Sequence, residues 1–114
     1  MMEELFRLFE SMGYEYYRQG SMSDEDYKPS FFTYWNYDSP FLKFRDNQAK
    51  GYKENVMVYF YTSNPSLIYS VMDDFINQAE KKGFIVEGKA YDTPADKENY
   101  FGRLIRIQII HKED

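Results

Sequence analysis

The stretch Val56-Met57-Val58-Tyr59-Phe60-Tyr61-Thr62-Ser63-Asn64-Pro65-Ser66-Leu67-Ile68 decides the fold, because its apolar period changes part-way along. Val56, Val58 and Phe60 point one way and Met57, Tyr59 and Tyr61 the other, which is the two-residue period of a strand. Ser63-Asn64-Pro65 then offers an N-cap at Asn64 and a proline at the first helical position. Beyond it Leu67, Ile68, Val71, Met72, Phe75, Ile76 and Ala79 recur at helical spacing as one broad apolar stripe. Lys81-Lys82-Gly83 closes the helix with cations in its last turn and a glycine stop. A strand passes directly into an amphipathic helix here, and the rest of the chain is read outward from that junction.

Upstream, Phe31 to Tyr37 is a second strand, rich in aromatics and Thr, and Asp38-Ser39-Pro40 ends it as a turn. Residues 3–12 form a short amphipathic helix, with Leu5, Leu8, Phe9 and Met12 on one face and Gly13 as its stop. Residues 14–30 divide less cleanly. Tyr14, Tyr16 and Tyr17 have strand character, whereas Gly20-Ser21 and Ser23-Asp24-Glu25-Asp26 read as solvated loop. Downstream, Phe84 to Tyr91 is a strand weakened or bulged at Gly88, and Asp92 to Asn99 is a polar loop. Tyr100 to Ile110 is the last strand, in which Ile105, Ile107 and Ile109 alternate with Arg106 and Gln108. The order α-β-β-α-β-β predicts one α+β domain over 1–114, a mostly antiparallel sheet of four or more strands with both helices on one face. Within it, 1–30 is an acidic helix and loop, and 31–110 carries the main sheet and the long helix.

Composition narrows the function classes. The 114 residues contain no Cys and a single His, His111, so Cys-ligated zinc, Cys nucleophiles and multi-histidine metal sites are excluded. His111, near the chain end beside Lys112, reads as an exposed residue with no task. Net charge is −5; residues 1–30 hold seven acids against three bases, while residues 31–114 hold twelve against eleven. No basic stripe exists to displace counterions from phosphates, so sequence-specific nucleic-acid binding is not expected, and anionic membranes are disfavoured for the same reason. The longest apolar and aromatic run, Val56 to Tyr61, is far too short to span a bilayer, and the acidic start Met1-Met2-Glu3-Glu4 is unlike a signal peptide. The cytoplasm is the expected location.

Neither catalytic nor metal-binding chemistry emerges from the motifs. Asp73-Asp74 are adjacent on a helix and do not share a face, so they read as solvated. The loop Asp92 to Glu98 spaces oxygens at alternate positions but lacks the central glycine and the terminal glutamate of a calcium loop. No glycine-rich phosphate loop or nucleophile elbow is present. No catalytic residue, cofactor or metal is expected.

The remaining signal is aromatic. Twelve Tyr, ten Phe and one Trp make up 20% of the chain. Phe6, Phe9, Phe32, Trp35, Phe60, Phe75, Phe84 and Phe101 are the large side chains expected to fill the core. The two central strands then place further aromatics on their second face. Tyrosine and tryptophan cover large area at low entropic cost and are enriched at protein interfaces, so Tyr34, Trp35, Tyr37, Phe41, Tyr59 and Tyr61 form the candidate interface. A different class of reading is a small α+β binding module that holds an apolar ligand or peptide in an aromatic pocket between helix and sheet.

The run Phe31-Phe32-Thr33-Tyr34-Trp35-Asn36-Tyr37-Asp38-Ser39-Pro40-Phe41 resembles the opening seen in small tail proteins of siphophages and prophages of Gram-positive bacteria. Val58 to Pro65, Lys82-Gly83-Phe84, Tyr91-Asp92 and Gly102-Arg103 continue the likeness in order, over roughly residues 30–110. Residues 1–30 lie outside it. The resemblance implies a tail-terminator or head–tail joining protein, a subunit that oligomerises into a ring, typically a hexamer. Such a ring caps the tail tube and meets the head connector. It also implies assembly in the host bacterial cytoplasm, residence in the virion tail, and no catalytic residues.

Overall fold

The computed structural model describes residues 2–23, 27–37 and 51–112. The elements run α1 (Glu3–Met12), β1 (Glu15–Arg18), β2 (Ser30–Asn36), β3 (Gly51–Thr62), a one-turn 3-10 helix (Pro65–Leu67), α2 (Ile68–Lys81), β4 (Ile85–Thr93) and β5 (Phe101–Lys112). The fold class is α+β, as expected, but the sheet has five strands in the order β1-β2-β3-β5-β4. The extra strand is β1, so the chain order is α-β-β-β-α-β-β rather than α-β-β-α-β-β. β1 pairs parallel to β2, with Tyr16 beside Phe32, while the other three pairings are antiparallel. The sheet is therefore mixed. Four residues with no hairpin turn to a neighbour leave little local signal, which is why Glu15–Arg18 is hard to tell from loop.

The junction forms as its residues dictate. Asn64 accepts hydrogen bonds on Oδ1 from the Ser66 backbone N–H (3.1 Å) and hydroxyl (2.8 Å), and Pro65 opens the turn. The cap serves a 3-10 turn first, and α2 proper begins at Ile68. Leu67 is half-buried at the rim, while Ile68, Val71, Met72, Phe75 and Ala79 are buried.

Both helices cover one face of the sheet. Leu5, Leu8 and Phe9 of α1 and the α2 stripe meet Phe32, Val56, Val58, Phe60, Ile105, Ile107 and Ile109 from the strands. Aromatic rings dominate this layer. Phe32 lies 4.6 Å from Phe9, 5.0 Å from Phe60 and 5.4 Å from Phe75, centroid to centroid. Tyr14 approaches Phe32 and Phe60 edge-on, Tyr16 packs on Phe6 and Phe9, and Tyr34 packs on Phe6. Much of the aromatic surplus is thus absorbed on the helix side, through α1 and the segment that follows it.

Two expected core residues are not core. Trp35 is 43% exposed because it shares strand parity with Phe31 and Thr33, opposite to Phe32; Phe101 is 45% exposed at the end of β5. β4 is bulged, as the glycine in it predicts. Its register on β5 shifts between Glu87 and Tyr91, and Gly88 adopts φ 67.

His111 also differs from expectation. It extends the alternation of Ile105, Ile107 and Ile109 to the helix-side face, where its Nε2 lies 2.5 Å from Oε1 of Glu54. Glu54 is itself buried and accepts a further bond from Asn36 Nδ2 on its other oxygen. The lone histidine is partnered and largely enclosed rather than idle in solvent.

Candidate functional site

Among the described residues no helix covers the second face of the sheet. Cross-strand pairing sets its rows. One row runs Tyr17, Thr33, Tyr59, Leu104, Tyr91 across all five strands; the next runs Glu15, Phe31, Tyr61, Gly102, Thr93. Trp35, Met57, Arg106 and Glu87 form a third. Side chains of opposite parity point to the helices, so this face follows from register alone.

The two ends of the face differ. At the Phe31 end, the loop after β1 and the loop before β5 fold over the sheet. Tyr27 meets Phe31 edge-on at 5.5 Å, and Tyr100 meets Tyr27 at 5.6 Å and donates its hydroxyl to the Lys28 carbonyl (2.8 Å). Phe31 and Thr33 are buried as a result. Beneath this roof lies a cleft of about 80 Å³, lined by Gln19, Met22, Tyr27, Phe31, Thr33, Tyr61, Asp96 and Tyr100 among others. Gln19 accepts from the Thr33 hydroxyl at 2.5 Å and also hydrogen-bonds Tyr61. Burial pushes the Tyr61 phenol up to about 12, against the opposing pull of that Gln19 bond, and the neighbouring Tyr59 and Asp96 push the same way as burial.

Tyr61 reaches this depth because Gly102 lies opposite it. A Cβ at Gly102 would stand 2.7 Å from Tyr61 Cε1 and 2.8 Å from the Thr93 carbonyl oxygen, so only glycine admits the ring. Tyr59 stacks on Tyr61 with centroids 5.9 Å apart and planes within 4°.

At the other end no described segment folds over the face. Trp35 is 43% exposed and Tyr91 50% exposed, with Met57 and Tyr59 half-buried between them. Removal from water raises the Tyr59 phenol, and nearby Tyr91 adds to the effect. Polar groups rim this patch: Glu87 accepts from the Gln108 amide at 3.2 Å and from the Tyr37 hydroxyl at 3.5 Å.

Of the six candidate interface residues, Trp35, Tyr37, Tyr59 and Tyr61 lie together on this face. Tyr34 has the opposite parity and packs on Phe6 at the helix side. Phe41 lies outside the described residues. Tyr91 belongs to the same patch through its pairing with Leu104, a placement that depends on how the β4 bulge shifts register. Tyr27, Gln19 and Asp96 come from loops that no periodic pattern marks, and Tyr100, expected as the first residue of the last strand, lies just before β5.

Other charged groups have local tasks. Arg103 pairs with Asp92 (2.6 Å), donates to the Ala90 carbonyl (3.1 Å) and lies over the Tyr69 ring at 4.7 Å, joining β5 to the strand beyond the bulge. Asp73 and Asp74 are exposed, as their spacing predicts. Among the described residues no group of His, Asp and Glu is placed to hold a metal ion, and no helix is long and apolar enough to cross a membrane. No family model matches the chain, and no curated protein matches it.

Proposed function

We propose that this chain is a non-enzymatic virion structural protein of a phage or prophage, a tail terminator or head–tail joining subunit that assembles as a ring. The observation that supports the reading is the end of the sheet that no described segment covers, where Trp35 and Tyr91 stand exposed beside Tyr59 and Leu104. Large exposed rings beside a polar rim are the composition of a protein interface. The likeness of residues 31–41 to small tail proteins supplies the kind of assembly. A ring needs a heterologous contact, one patch against a different patch of the next copy, that closes on itself. The exposed outer residues of the two helices, among them Glu3, Glu4, Asp73 and Asp74, give each copy a second surface of unlike chemistry. A subunit of net charge −5 also repels DNA passing through the ring rather than gripping it.

The partners in this reading are further copies of the chain, the tail tube and the head connector. The test is mass in solution at several concentrations, alone and with purified tail tubes. Wild-type protein should form a defined oligomer, at least on tubes, and Trp35→Ala with Tyr91→Ala should weaken it while leaving the thermal midpoint nearly unchanged. Failure of wild-type protein to bind tubes would overturn the proposal. Tyr61 is unsuitable for this test, because its ring is packed between Phe31 and Gly102 and its loss would disturb the fold.

A further inference from the structure

The roofed cleft at the other end of the same face has a chemistry of its own. Four rings, Tyr27, Phe31, Tyr61 and Tyr100, meet there at varied angles: Tyr27 stands at 87° to Phe31 and 78° to Tyr100, and Phe31 at 33° to Tyr61. Its polar lining includes two acceptors, the Gln19 side-chain oxygen, which already takes the Thr33 hydroxyl, and the Asp96 carboxylate, beside the Gln19 amide N–H donors. Asp96 lies near enough to Tyr61 to oppose ionisation of its phenol. Among the described residues no lysine or arginine lines the cleft. Aromatic faces carry negative potential, and rings beside a carboxylate are complementary to a cation. The roof already attracts one: Lys97 Nζ lies 4.9 Å from the centroid of Tyr27.

We propose that this cleft receives a primary alkylammonium group, the side chain of a lysine presented by a protein partner. Its size is one argument. The cleft is small, about 80 Å³ and part-open to solvent, which suits a compact head group. The acceptors are the other. A quaternary ammonium has no N–H to give to Gln19 or Asp96, whereas a lysine head has three. The seat is separate from the patch around Trp35 and Tyr91, and the inference does not rest on ring assembly.

The experiment is a titration of the full-length, isotope-labelled protein with Nα-acetyl-lysine methylamide. The backbone resonances of Gly20 and Thr33 and the side-chain amide of Gln19 report binding. Matched titrations use the norleucine amide, which has a similar stem without the charge, and the arginine amide. Saturable shifts at these residues are expected with the lysine probe, with half-saturation in roughly the millimolar range. The norleucine probe should bind at least about fivefold more weakly, since it lacks the cation–π and hydrogen-bonding terms. Asp96→Asn, at an exposed position, and Tyr27→Leu should each weaken the lysine probe by roughly threefold to tenfold. Preserved dispersion of the remaining amide resonances separates this loss from unfolding. The proposal is overturned if the lysine probe gives no saturable shift, or if norleucine matches it, which makes the cleft merely apolar. Equal binding of the arginine probe also overturns the assignment to a primary amine, as does unchanged affinity in both variants.

Discussion

Replacing Gly102 by alanine tests the arrangement of the second face most directly. The added methyl would meet Tyr61 Cε1 at 2.7 Å, the Thr93 carbonyl oxygen at 2.8 Å and Thr93 Cγ2 at 2.9 Å. Tyr61 can swing away only by leaving its contact with Phe31, and the carbonyl belongs to the β4–β5 ladder and cannot rotate aside. Overpacking of this kind costs about 1–3 kcal/mol. Removing the extra chain entropy of a strand glycine offsets about 0.5–1 kcal/mol of that. At the middle of both ranges the net loss is about 1 kcal/mol, which lowers the thermal midpoint of a domain this size by roughly 3–6 °C. Thermal and urea unfolding followed by circular dichroism measure it. A second arm combines Gly102→Ala with Tyr61→Leu: because the two residues share one contact, the double variant should lose less than the sum of the singles. An unchanged or raised midpoint in Gly102→Ala, or strict additivity in the double variant, would refute the packing of Tyr61 on Gly102.

Further outcomes follow from the same structure. His111→Ala removes a partner from the buried Glu54 carboxylate and should cost about 1–3 kcal/mol, read as a lower urea midpoint; an unchanged midpoint would mean that the Glu54 pair contributes nothing net. The phenols of Tyr16, raised chiefly by its hydrogen bond to Glu10, and Tyr61, raised chiefly by burial, both sit at about 12 against 10.0 in an open chain. The unfolded chain therefore gives up these protons first, so their contribution is complete below pH 10.0 and is lost as pH rises toward about 12. Tyr61→Phe should flatten that loss in alkaline unfolding curves, and an equally steep loss would contradict the assignment. Arg103→Lys keeps the charge but loses the two-pronged reach to Asp92 and the Ala90 carbonyl; amide exchange in β4 beyond the bulge should speed up by several-fold, with β2 and β3 unaffected.

What the sequence reveals and what it conceals divide along physical lines. The helix over Ile68–Lys81 is legible because a period change, a capping asparagine and a proline all coincide within a few residues. The long strands are legible from alternation, and that alternation held more than its core residues. Continued two positions past Ile109 it reaches His111, and continued back from Val56 it reaches Glu54, so the buried pair lay in the pattern once the strand ends were extended. β1 was only half visible: Tyr16 and Tyr17 have strand character, but the partner strand is parallel and reached through a loop, so no hairpin turn marks the pairing. The candidate face was half visible. Parity separates Trp35, Tyr59 and Tyr61 from Phe32 and Phe60, but equally moves Tyr34 to the helix side, where the sequence alone had grouped it with Trp35. The roof was not visible at all, since Tyr27, Asp96 and Tyr100 are brought over Phe31 by loop conformation rather than by any repeat.

The two margins of the sheet bear on behaviour at high concentration. One margin is β1, only four residues long, and the other is β4, kinked by its bulge and carrying exposed Lys89. A long flat margin templates the addition of strands from other chains without end, and short, bent or charged margins deny that template. Copies of this protein crowded together thus have little opportunity to stack edge to edge into cross-β fibrils. Contact between copies is left to side chains on the faces, where it depends on shape.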